Sequence, residues 1–176
     1  MKLKKALAAL ALGLVMIPTM ADAKEKLLFI PIDNRPVCLS YTVDTLKAAG
    51  WDIETPPEEY IASYNRVGDP DKLYKWLEDN ALLATDAIIS TDSLIYGGLV
   101  PSRTHNLAPE VLEARTQRLL NFKKKFDCLR IYAYDTVMRS PHASSAPVEP
   151  AYYEKWGPQI FRMGELKDKQ EMKQIS

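Results

Sequence analysis

The sequence predicts an α/β protein of parallel β/α repeats, read as the first half of a (β/α)8-type barrel, with an open doubly wound sheet as the alternative. Two observations predict it. Four short apolar runs, "LLFIPI", "WDIETPP", "DAIISTDSLIYGG" and "CLRIYAYD", alternate with stretches of helical periodicity. The helical stretches also carry their own start or stop residues. Strand–helix–strand alternation of that kind points to right-handed crossovers into one parallel sheet, not to hairpins.

The first run, "LLFIPI", is continuously apolar, as a strand buried on both faces should be. Pro31 cannot donate to a ladder, so it belongs at a strand end or an edge. "SYTVDTLKAAG" reads as a short helix: Val43, Leu46 and Ala49 share a face, Ser40 can cap the start, and Gly50 suits the stop. "WDIETPP" is a weaker strand that ends at Pro56–Pro57. In "GDPDKLYKWLEDNALL", Asp69 is placed to cap and Pro70 to open a helix, and Leu73, Trp76 and Leu77 form one apolar stripe. The third strand is expected to run through "DAIISTDSLIYGG" into Gly97–Gly98. Pro109 opens a third helix, with Leu119, Phe122 and Phe126 along one side, before the fourth strand "CLRIYAYD". A polar stretch, "TVMRSPHASSAPVEP", then leads to helical pieces that Gly157–Pro158 should interrupt.

The chain has 176 residues, 47% hydrophobic and 26% charged, with 23 basic residues against 23 acidic ones. That balance offers no electrostatic case for nucleic acid or an anionic membrane surface. The N-terminus reads as a signal peptide over residues 1–23: basic "MKLKK", apolar "ALAALALGLVMIPTM", then "ADA" as the cleavage site. Its apolar run is short for a full span, which needs about 20 residues. No later segment is apolar enough to cross a bilayer, so no membrane association is expected after cleavage. The expectation is an exported protein, periplasmic or extracellular. Residues 24–176 would form the N-terminal part of a single α/β domain, since "KDKQEMKQIS" lacks a helix stop and four strands make half a barrel. Cys38 follows the first strand and Cys128 precedes the fourth, so a parallel sheet puts them at opposite ends, out of reach of a disulfide. Both are expected as small buried thiols.

In parallel α/β folds, ligands bind beyond the carboxyl ends of the strands. The first strand leaves through "FIPIDNRPV", where Asp33, Asn34 and Arg35 are bracketed by Pro31 and Pro36. The second end offers Glu58 and Glu59. The third gives Asp92, Tyr96, Gly97, Gly98 and Arg103, and the fourth gives Asp135, Arg139 and Ser144. Aspartates are common caps after strands. Asp33, Asp92 and Asp135 together, with Arg35, Arg103 and Arg139 nearby, suggest converging carboxylates with cations to hold an anionic group or to neutralise them. Asp92 and Asp135 are the candidate catalytic pair. Asp33, Asn34, Arg35, Tyr96, Gly97, Gly98, Arg103, Arg139 and Ser144 are candidate substrate contacts. "YGGLVPSR" lacks phosphate-loop spacing, no dinucleotide fingerprint occurs, and His105 and His142 lack zinc spacing, so no cofactor or metal is expected. Tyr152, Tyr153 and Trp156 could stack on a sugar ring, or serve as core or subunit contacts.

Five blocks, "IPIDNRPV", "TPPEEY", "STDSLIYGGLVPSRTHNL", "IYAYDTVMRSPHASS" and "EPAYYEKWGPQIFR", together resemble the bacterial family called domain of unknown function 4127. The resemblance runs from about Leu27 to the C-terminus. It implies a longer protein, and it places Asp33, Arg35, Asp92, Tyr96, Gly97, Gly98, Arg103, Asp135, Arg139 and Ser144 inside shared blocks. It implies no reaction. Three functions fit these residues. The first is a glycosidase-like hydrolase acting on a small-molecule or glycan substrate through its strand-end carboxylates. The second is a non-catalytic periplasmic receptor for a sugar or an acidic solute. The third is a metal-dependent hydrolase.

Overall fold

The structure is a computed structural model that describes residues 25–139, 142 and 148–175. The expected leader over residues 1–23, and Ser144, lie outside the described residues. Strands β1 (Lys26–Ile30), β2 (Asp52–Glu54), β3 (Asp86–Ser90) and β4 (Arg130–Tyr134) form one all-parallel sheet in the order β2-β1-β3-β4. The helices are α1 (Ser40–Ala48), α2 (Pro70–Asn80), α3 (Thr91–Ile95), α4 (Leu99–Thr104), α5 (Pro109–Lys125) and α6 (Tyr153–Glu171).

Strand alternation sends neighbouring side chains of β1 to opposite faces. Leu28 and Ile30 join Ala87 and Ile89 of β3 under Leu73 and Leu77 of α2 and Phe122 of α5. Leu27 and Phe29 join Ile53 of β2 under Val43 and Leu46 of α1. Both faces of β1 are therefore covered, which is why its run is apolar throughout. The parallel β/α architecture is the one the sequence predicts. Its order, however, is that of the open doubly wound alternative. A barrel adds its strands in sequence order, whereas here β1 lies between β2 and β3. After β2 the chain turns back, and that reversal opens a switch point at the carboxyl ends of β1 and β3.

Several local expectations hold. Asp69 caps α2, its side chain accepting from the Lys72 amide, with Pro70 as the first helical residue. Pro31 falls just past β1, where a missing N–H costs no ladder bond. Others are corrected. The third strand ends at Ser90 instead of running to Gly97–Gly98. Ser90 Oγ accepts from the Ser93 amide at 3.3 Å and starts α3, so Asp92 is helical and does not alternate with Ser90 and Ile88. Ser40 does not cap α1: Leu39 is the cap residue, and the Ser40 hydroxyl donates to the Pro36 carbonyl at 3.4 Å. Gly157–Pro158 does not interrupt the last helix, because α6 runs through it. A proline ring clashes with the side chain before it, and Gly157 has none. Cys38 is partly buried and Cys128 is exposed rather than buried, both as free thiols.

Candidate functional site

Loops after all four strands meet above the switch point. Asp33 and Arg35 follow β1, and Ala62, Ser63 and Tyr64 follow β2. Leu99 to Pro101 and Arg103 lie on α4 beyond β3, and Arg139 and Val148 lie beyond β4. They line one cavity of about 360 Å³.

The β1 and β3 loops are fastened to each other. Ser93 Oγ donates to the Pro31 carbonyl at 2.7 Å, a fully buried bond across the switch point. Gly97 ends α3 with φ +87°, its amide donating to the Ser93 carbonyl at 3.2 Å, the left-handed cap that glycine favours. The Gly97 carbonyl then accepts from the Gly68 amide at 2.8 Å, and a Cβ at Gly98 would lie 2.3 Å from that of Ala62. Gly97 and Gly98 therefore serve close approach of backbone to backbone, and neither lines the cavity. Asn34 also stays outside it: its amide side chain donates to Glu58 Oε1 at 2.8 Å and ties the β1 loop to the β2 loop.

Charge is divided unevenly among the arginines. Asp33 is buried and accepts from the Arg35 backbone at 3.1 Å through Oδ1 and from Arg35 Nε at 2.8 Å through Oδ2. That bond raises the Arg35 pKa further. The neighbouring Cys38 thiol is pushed up by burial first and by Asp33 second. Arg139 donates from Nε and Nη2 to Glu149 Oε1, at 3.0 and 2.9 Å. Arg103 reaches only the same Oε1, at 3.7 Å, and its buried Nε has no acceptor among the described residues. Around this cavity three guanidiniums thus share two carboxylates, while Asp92 and Asp135 line the recess on the other border of Arg103. Arg35 and Arg139 have each committed their Nε and Nη2 to a carboxylate, while Arg103, with a side chain 15% exposed, has not.

Asp92 and Asp135 line an adjoining recess of about 190 Å³ with Tyr96, and Arg103 borders both spaces. Asp92 is buried, and its Oδ2 accepts from the Thr136 amide at 3.0 Å and hydroxyl at 3.1 Å, which holds the β4 loop against α3. Asp135 is exposed. The three aspartates are therefore split between two neighbouring spaces joined at Arg103, not gathered in one. Tyr153 is buried, Trp156 is half exposed beneath Lys155, and neither they nor Tyr152 lines the cavity. Sequence reading missed Ser93 and Glu149. Ser90 three residues before Ser93 is a helix-start signal that could have found the first. Nothing in "APVEP" marks Glu149, whose side chain is 1% exposed.

A family model described as a protein of unknown function (DUF4127) matches residues 27–176. No curated protein and no solved structure matches the chain. Among the described residues, no group of three or more His, Cys, Asp or Glu is placed to hold a metal ion, and no helix is long and apolar enough to cross a membrane.

Proposed function

The chain belongs to the family of proteins of unknown function DUF4127, and we propose that it binds a small acidic solute in the arginine-lined cavity at the carboxyl edge of its sheet. The observation that carries this reading is Arg103. It is a largely buried cation whose Nε has no acceptor among the described residues, and it shares Glu149 with Arg139. A buried charged donor without an acceptor is costly, and a bound anion is one way to supply the acceptor. Guanidinium suits a planar carboxylate or another oxyanion. The leader-like residues 1–23 support placing this binding outside the cytoplasm, as in a periplasmic receptor.

A second reading keeps one observation in its favour. Asp92 and Asp135 line the same recess, and a glycosidase-like hydrolase needs two carboxyl groups facing one space. Asp92 would have to act while tied to Thr136. The metal-dependent hydrolase draws no support from the described residues.

Thermal shift and titration calorimetry of the full chain with small carboxylates, sugar acids and neutral sugars test the proposal. At least one acid should raise Tm by several degrees at millimolar concentration. Arg103→Met should weaken that acid about 10- to 100-fold, as expected for a lost charged hydrogen bond. Arg35→Met and Arg139→Met should cost less. No response to any acid, or a preference for neutral sugars that Arg103→Met leaves intact, overturns it.

A further inference from the structure

The arginine-lined cavity does not end at Tyr64. A second cavity of about 510 Å³ lies on the other side of that residue, and the two share Ser63, Tyr64, Val100 and Pro101 as a common wall. We propose that the two form one groove with two subsites, and that its ligand is a cyclic sugar acid: the carboxylate beside Arg103, the ring against Tyr64. This rests on the acidic-solute reading and names the class of acid.

Tyr64 carries the argument. The residue is 79% exposed, so its ring is open to a ligand. Its backbone is nevertheless held in place. Its turn is closed by the Ser63 amide donating to the Arg66 carbonyl at 2.8 Å and the Arg66 amide donating back at 3.3 Å. Arg66 Nη2 donates to the Glu58 and Ile61 carbonyls, at 2.8 and 3.0 Å, which anchors the turn to the body of the protein. The Gly68 amide bonded to the Gly97 carbonyl fixes the other flank. A ring on a braced turn between two cavities is a preorganised stacking face, and aromatic faces bind the apolar face of a sugar ring or another flat group.

The polarity of the two cavities decides what the ligand carries at each end. The first holds the unspent charge of Arg103. The second is bounded by Tyr96, stacked on His105 at 4.8 Å, and by the neutral polar side chains of Thr104 and Asn106. Its two arginines spend donors on backbone: Arg115 Nη1 donates to the Ile95 carbonyl at 2.5 Å, and Arg66 Nη2 donates to the Glu58 and Ile61 carbonyls. The charged donor without an acceptor among the described residues therefore lies in the first compartment, and the second adds the hydroxyl and amide side chains of Thr104 and Asn106. A pyranose carrying a carboxylate suits both, and an open-chain acid of the same size lacks the flat face.

Calorimetry on the full chain with D-glucuronate, D-gluconate and D-glucose tests this. Glucuronate should bind about three- to tenfold more tightly than gluconate, the range expected for one aromatic stack, and glucose should bind more weakly than either. Tyr64→Ala should remove the preference for the ring by weakening glucuronate more than gluconate, and Tyr64→Phe should keep the preference. Because Tyr64 is exposed, both variants should fold as the parent does, which circular dichroism checks. Equal affinity for the two acids, or a ring preference that survives Tyr64→Ala, overturns the two-subsite inference alone. Absence of binding by both acids overturns this inference, and the acidic-solute reading falls only if the wider acid series is also silent.

Discussion

A methyl group at position 98 has nowhere to go. It would stand 2.3 Å from Ala62 Cβ and 3.2 Å from the Ile32 carbonyl, on a backbone at φ +125° that side chains avoid. Gly98→Ala should therefore cost about 2–4 kcal/mol, combining strain with overpacking, and lower the urea midpoint accordingly. The effect should appear as lost stability before any change in ligand affinity, since the clash is with protein and not with the cavity. The sequence marked this position as a candidate substrate contact, whereas the fold sets it against the Ala62 loop. Glu149 shows the opposite case. A lone carboxylate in a proline-bounded stretch carries no pattern, and its meaning comes from Arg139 and Arg103, which folding brings to it.

At the scale of elements, α3 is the instructive one. "STDSL" directly continues the apolar run of β3, yet the Ser90 hydroxyl offers the Ser93 amide a partner, and the chain coils instead. Coiling turns Ser93 inward, where its hydroxyl reaches the Pro31 carbonyl and joins the end of β1 to the start of α3. Ser93→Ala leaves that buried carbonyl without its donor and should destabilise by about 1–3 kcal/mol. Chemical denaturation measures the loss. A value near zero would mean that the junction is held by packing alone. The same substitution should weaken acid binding, because the junction sets where Asp33 and Arg35 stand relative to Arg103.

At the scale of the whole molecule, the amino ends of the sheet carry the acid-sensitive tie. Asp86 on β3 accepts from Arg130 Nε and Nη2 on β4, at 2.8 and 2.7 Å, and from the Thr85 hydroxyl at 2.8 Å. The Arg130 bonds, ahead of the other causes, hold its carboxyl below the usual range. A depressed folded pKa means that the stabilisation is present above the ordinary aspartate value of about 4 and is lost as pH falls through the folded value. Alkali acts on buried phenols. Burial raises Tyr74, and it pushes Tyr134 up to about 12. Both ionise in the unfolded chain above about 10 while the fold keeps them neutral, so stability should fall from there upward. Urea midpoints across pH should show both declines, and Asp86→Asn should flatten the acid one. An unaltered acid limb in that variant would assign the decline to other carboxylates.

What the sequence determined by itself was local or periodic. The alternation of apolar runs with helical stripes encodes a parallel β/α sheet, since each pattern has its own period. Asp69, Pro70 and Pro109 mark helix starts, because capping acts within one turn. Placing Asp33, Arg35, Arg103 and Arg139 near the carboxyl edge followed from the same pattern. Strand order was decided only in three dimensions. Nothing local distinguishes a helix that returns beside β2 from one that crosses to the far side of β1, and that choice separates an open sheet from a barrel. The distribution of charge in the site was decided there too. Arg35 has its partner two residues away and was legible, whereas Arg139 and Arg103 compete for Glu149 across loops that only the folded sheet brings together.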